Sequence, residues 1–89
     1  MSEFIVQYCR NWDGGEQERE AATRFIKQAC PDAEVTARKI NKHPVRVTIL
    51  HDDDGELNEI FQCAQRDLFA KYGWPAQDGI MKAVKKVTN

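Results

Sequence analysis

At 89 residues, 42% hydrophobic and 30% charged, the chain has the size and composition of one small globular domain, and residues 1–89 are read as a single unit. Thirteen basic against fourteen acidic residues leave a net charge of -1, which excludes wholesale electrostatic attraction to nucleic acid or to a lipid surface and confines any such contact to a local patch. A chain this short buries only about 60 to 65 per cent of its unfolded surface, so its stability rests on a single core.

Glu3–Cys9 (EFIVQYC) is a β-branched and aromatic run without helical spacing and predicts a strand. Asn11, Asp13, Gly14 and Gly15 form a turn cluster after it. From Glu16 to Cys30 the apolar residues Ala21, Ala22, Phe25, Ile26, Ala29 and Cys30 recur as one helical stripe. Glu16, Glu18 and Glu20 suit the positive end of that helix, and Glu20 stands one turn from Arg24, as an ion pair requires. Pro31 ends it, because the residue before a proline is pushed out of helical geometry.

Glu34–Ile40 (EVTARKI) predicts a second strand, and a single-helix connection makes the first two strands parallel. Residues 41–44 (NKHP) are a corner. Val45, Val47 and Ile49 then share one face of a third strand, with Arg46 and Thr48 on the other. A tight turn at Asp52–Gly55 (DDDG) returns the chain as a fourth strand, Glu56–Gln62, in an antiparallel hairpin. Ala64–Tyr72 has the composition of a short helix capped by Gly73, and residues 64–75 as a whole read as an inserted segment. In the last helix Ile80, Met81, Val84 and Val87 line one side while Lys82, Lys85 and Lys86 line the other. The resulting order is β-α-β-β-β-α with a mixed four-stranded sheet, the arrangement of a thioredoxin-like α/β domain. Such a domain carries a proline just before its third strand, often cis, and Pro44 occupies that place.

The chemistry follows from Tyr8 to Gly15 (YCRNWDGG), where a thiol–disulfide enzyme of this shape carries Cys-x-x-Cys. Cys9 has Trp12 where the resolving thiol belongs, and Cys30, at the other end of a helix that rises about 1.5 Å per residue, is too distant to replace it. Cys9, Cys30 and Cys63 are odd in number and irregularly spaced, which fits a reducing compartment and no zinc-type framework. His43 and His51 are dispersed among different elements, and Asp52, Asp53 and Asp54 lack the later ligands of a calcium loop. No metal, cofactor or small-molecule substrate is expected. No apolar run approaches the roughly 20 residues of a membrane span, and Met-Ser-Glu-Phe is neither a transit peptide nor a secretory signal. Two basic clusters remain, Arg38, Lys39, Lys42, His43 and Arg46 around the corner and Lys82, Lys85 and Lys86 on the last helix, beside two loop tryptophans, Trp12 and Trp74, of the kind interfaces favour.

YCRNWDGG, EREAATRFI, CPDAEV, ARKINKHPV and EIFQC together resemble the thioredoxin-like domain shared by certain mitochondrial ribosomal proteins and a small accessory subunit of respiratory complex I, with the large-subunit ribosomal branch nearest. Arg38, Lys42, His43 and Pro44 match that branch's corner. The resemblance implies a non-enzymatic, matrix-located piece of a ribonucleoprotein whose partners are ribosomal RNA and neighbouring proteins. On this reading Arg38, Lys39, Lys42, His43 and Arg46 form the RNA-facing corner, Lys82, Lys85 and Lys86 of the last helix are a second RNA-binding set, and the loop tryptophans Trp12 and Trp74 are the candidate interface residues. The complex I subunit stands as the alternative. The selenoprotein-W-like redox group, which shares the element order but requires Cys-x-x-Cys or its selenium version, is opposed by Trp12.

Overall fold

The first strand, β1 (Glu3–Cys9), buries Phe4, Val6 and Tyr8 at alternate positions, so these three point to one face of the sheet. The computed structural model describes residues 2–9, 16–40 and 46–88. Five further elements follow: α1 (Glu16–Ala29), β2 (Glu34–Ile40), β3 (Arg46–Asp53), β4 (Glu56–Ala64) and α2 (Gln77–Thr88). The four strands form one mixed sheet in the order β2-β1-β3-β4. β1 pairs parallel with β2 and antiparallel with β3, and β3 pairs antiparallel with β4. The fold is therefore α/β with the expected element order and mixed sheet.

The stripe of α1 buries Ala21, Ala22, Phe25 and Ile26 against Phe4, Val6, Tyr8, Val47 and Ile49 of the sheet, and α2 adds Ile80 and Val84 to the same cluster. Both helices thus cover one face. Across the opposite face the register aligns Thr36, Ile5 and Leu50 in one row and Arg38, Gln7 and Thr48 in the next. At the end of α1 the Cys30 N–H still bonds Ile26 O at 2.9 Å, and Pro31 then prevents continuation. The hairpin closes through Asp54 (φ 56) and Gly55 (φ 94), both in the left-handed region that a two-residue type I′ turn demands. The Gly55 N–H donates to Asp52 Oδ1 at 2.8 Å.

The strands run further than the sequence suggests, β3 to Asp53 and β4 to Ala64. Between Ile49 and Leu50 the register with β4 slips from Phe61 to Glu59, so Ile60 is an extra, bulged residue. The short helix expected over Ala64–Tyr72 is replaced by two 3-10 turns, Gln65–Leu68 and Ala70–Tyr72. They are separated by Phe69 in an extended conformation (φ -97, ψ 135). The break has a packing reason: Leu68 is fully buried, while Trp74 lies edge-on to Phe25 with centroids 6.2 Å apart. A continuous helix would not deliver both side chains to the core while carrying the chain from the edge of the sheet to α2. Gly73 (φ 74) and Trp74 (φ 50) make the final bend, and the Ala76 N–H bonds back to Asp67 O at 3.0 Å. The segment expected as an insertion therefore supplies core residues.

Candidate functional site

Three of the five basic residues assigned to the corner, Arg38, Lys39 and Arg46, fall among the described residues, and strand periodicity separates them. Arg38 is level with Gln7, which is level with Thr48, and Arg46 lies two residues from Thr48 on the same side of β3. Arg38 and Arg46 are both exposed and share the face that neither helix covers. Two strand spacings and two residue rises put their Cα atoms about 12 Å apart, a span that one or two phosphates can bridge. Lys39 points the other way, with its ammonium 5.7 Å from the centroid of the Tyr8 ring on the helix-covered side. Lys42, His43 and Pro44 lie outside the described residues, as does Trp12. Lys82, Lys85 and Lys86 are exposed on α2, opposite its buried Ile80 and Val84.

Trp74 is half-buried and belongs first to the core margin. The Arg24 guanidinium sits 4.8 Å over its ring and 5.1 Å over that of Phe25. This displaces the expected pairing of Arg24 with Glu20. Glu20 lies 3.9 Å from Arg19 instead, and Arg19 is also held by Glu16.

All three thiols are buried and none is in a disulfide. Cys9 donates from Sγ to Arg46 O at 3.4 Å and accepts the Arg46 N–H at 3.5 Å, so it fastens the end of β1 to the start of β3. The Cys30 thiol donates to Asp32 Oδ1 at 3.1 Å, and that bond, with burial and the carboxylate's charge, raises its pKa above the ordinary 9.0. Burial, reinforced by the Asp67 carboxylate and opposed by Arg46, pushes the Cys63 thiol up to about 12. Cys63 is level with Val47 on the helix-covered face of β4, whereas Cys9 faces the other side two strands away. Two spacings of about 4.8 Å exceed the roughly 7 Å that a disulfide spans between Cα atoms. Cys30 follows α1 near the opposite end of β1, about 20 Å from Cys9 along the strand. No pair of these sulfurs is placed to exchange a disulfide, and the raised thiols are poor nucleophiles at neutral pH.

Among the described residues no three of His, Cys, Asp and Glu converge as metal ligands, and no helix is long and apolar enough to cross a membrane. A groove of about 480 Å³ runs between α1 and β2, walled by Arg19, Glu20, Thr23 and Arg24 and floored by Val35 and Ala37. Sequence reasoning does not find it, because it joins two amphipathic elements at their margins. The signal present in the sequence is that the two helix-facing residues of β2 here, Val35 and Ala37, are small or medium for a strand beside a helix. Comparison of the chain with protein families, with curated proteins and with solved structures returned no match.

Proposed function

We propose that the chain is a non-catalytic structural protein of the large subunit of the mitochondrial ribosome, a thioredoxin-like domain used for its shape in the matrix. The carrying observation is a combination. The β-α-β-β-β-α connectivity, sheet order β2-β1-β3-β4 and placement of both helices on one face fit the thioredoxin-like plan, yet the three cysteines stand too far apart for dithiol exchange. A redox architecture without a usable thiol pair is a scaffold. The assembly is suggested by the ARKINKHPV corner and the accompanying motifs of the sequence.

Arg38 and Arg46 on the sheet face opposite the two helices, with Lys42 and His43 following β2 in the chain, provide the principal phosphate contacts in this reading. Lys82, Lys85 and Lys86 supply a second, independent set from α2. The test is gradient fractionation of mitochondria carrying the tagged chain. Migration with the large ribosomal subunit is expected, and migration with complex I or as a free small protein overturns the assignment. Turnover of a dithiol substrate by the purified protein, abolished by Cys9→Ser, would overturn the scaffold reading itself.

A further inference from the structure

The sheet face opposite the helices carries its charges in order along the strands. At one end Glu34, Glu3 and Asp52 are level across β2, β1 and β3, and the two glutamates are exposed. Two residues on, the level row is Thr36, Ile5 and Leu50, with Ile5 and Leu50 half-buried. Towards the other end stand Arg38, level with Gln7, and then Arg46, both exposed. Along the strands the face therefore reads acid, apolar, base. Glu34 and Arg38 share β2 but lie about 13 Å apart, too far to pair within one chain. Among the described residues the ion pairs involve neither of them, nor Glu3, Asp52 or Arg46.

A face ordered in this way is complementary to itself, and the order fixes how. A two-fold axis running across the strands at the level of Ile5 and Leu50 turns a second copy end for end. Ile5 and Leu50 then meet their own copies, Glu34 stands opposite the other chain's Arg38, and Arg46 lies one row beyond the other chain's Asp52, within reach of its long side chain. An axis along the strands would instead set Glu3 against Asp52, carboxylate on carboxylate, and leave Arg38 on Gln62. Glu59, level with Leu50, meets its own copy in the first arrangement, but it is exposed at the β4 margin, where water and salt screen like charges. Other occupants fit less well: a nucleic-acid strand laid along the face meets three carboxylates, and a peptide of either charge meets one end that repels it. A second copy supplies both signs in the required order. We infer that the free chain forms a two-fold dimer through this sheet face, with Glu34 and Arg38 exchanged between the two chains. The four strands span about 19 Å and seven residues about 24 Å, roughly 450 Å² per copy against about 800 Å² in a standard interface, so the dimer is weak. Pairing and phosphate contact draw on the same two arginines and exclude one another, so the dimer belongs to the chain while it is free, whichever assembly it joins.

Sedimentation equilibrium of the full chain over a concentration series reads the association. The expected result is a monomer–dimer equilibrium with a dissociation constant below about 1 mM that weakens as salt is raised. Arg38→Glu makes this stretch of β2 acidic and Glu34→Arg makes it basic. Each variant alone is expected to pair about tenfold or more weakly, because symmetry counts each reversal twice. Mixed in equal amounts, the two variants regain both opposite-charge pairs and are expected to associate with each other about as tightly as the unaltered chain with itself. Neither a loss of fold nor pairing through another surface produces that restoration. Concentration-dependent NMR shift changes at Ile5, Thr36 and Leu50 locate the contact on the unaltered protein, whatever becomes of the variants. A monomer throughout, single variants that pair as well as the unaltered chain, no gain on mixing, or shift changes confined to other surfaces each overturns the proposal. All of these outcomes leave the gradient fractionation untouched, so the ribosomal assignment stands or falls separately.

Discussion

Gly79, the third residue of α2, offers a substitution whose sign is decided by one ring. An added Cβ would lie 2.6 Å from Cε1 and 2.9 Å from Cζ of Phe61, well inside the roughly 3.5–4.0 Å of favourable carbon contact. Phe61 is partly buried and packs against the core from β4, so a retreat of its ring gives up part of that packing. Gly79→Ala gains at most about 1 kcal/mol of helix propensity, less near a helix start, while overpacking costs about 1–3 kcal/mol. The net expectation is a loss of about 1 kcal/mol, or a fall in Tm of about 4–8 °C for a domain of this size. Phe61→Leu removes the two clashing atoms. In that background Gly79→Ala should stabilise by about 0.5–1 kcal/mol, giving a coupling of roughly 1.5–2 kcal/mol between the sites. Urea melts of the four proteins in this cycle measure both numbers. A higher unfolding free energy for Gly79→Ala alone, or a coupling below about 0.5 kcal/mol, refutes the close approach of α2 to β4 on which the reasoning depends.

Leu68 is fully buried, and Leu68→Ala is expected to lower the unfolding free energy by about 2–5 kcal/mol in urea melts; a loss near zero would mean that residues 65–76 are a peripheral appendage. The fold keeps the Cys63 thiol protonated from the unfolded value of 9.0 up to about 12, so across that window the native state holds the extra proton. This contribution to stability is complete below about pH 9 and is lost as the pH rises towards about 12; Cys63→Ala should show a shallower alkaline decline, and identical pH profiles would contradict the burial described. Asp32→Ala removes the acceptor and the charge that raise the Cys30 thiol, so the midpoint of the alkylation-rate profile for Cys30 should move to lower pH, and an unmoved midpoint would deny the bond.

The strands and α1 were legible because each carries its own periodicity: Phe4, Val6 and Tyr8 at spacing two, and Ala21, Ala22, Phe25 and Ile26 at helical spacing. The Asp54-Gly55 pair likewise names its turn type. Residues 65–72 were not legible, because a short helix has too few hydrogen bonds to repay its nucleation and the competing demand, burial of Leu68 and Trp74 against α1, is non-local. The basic corner shows a different limit. Arg38 and Lys39 are neighbours in sequence and therefore on opposite faces of a strand, whereas Arg38 and Arg46, eight positions apart, share one. Linear clustering of charge overstates a strand's charge on either face. The seat of Arg24 on Trp74 joins residues fifty positions apart and leaves no local trace.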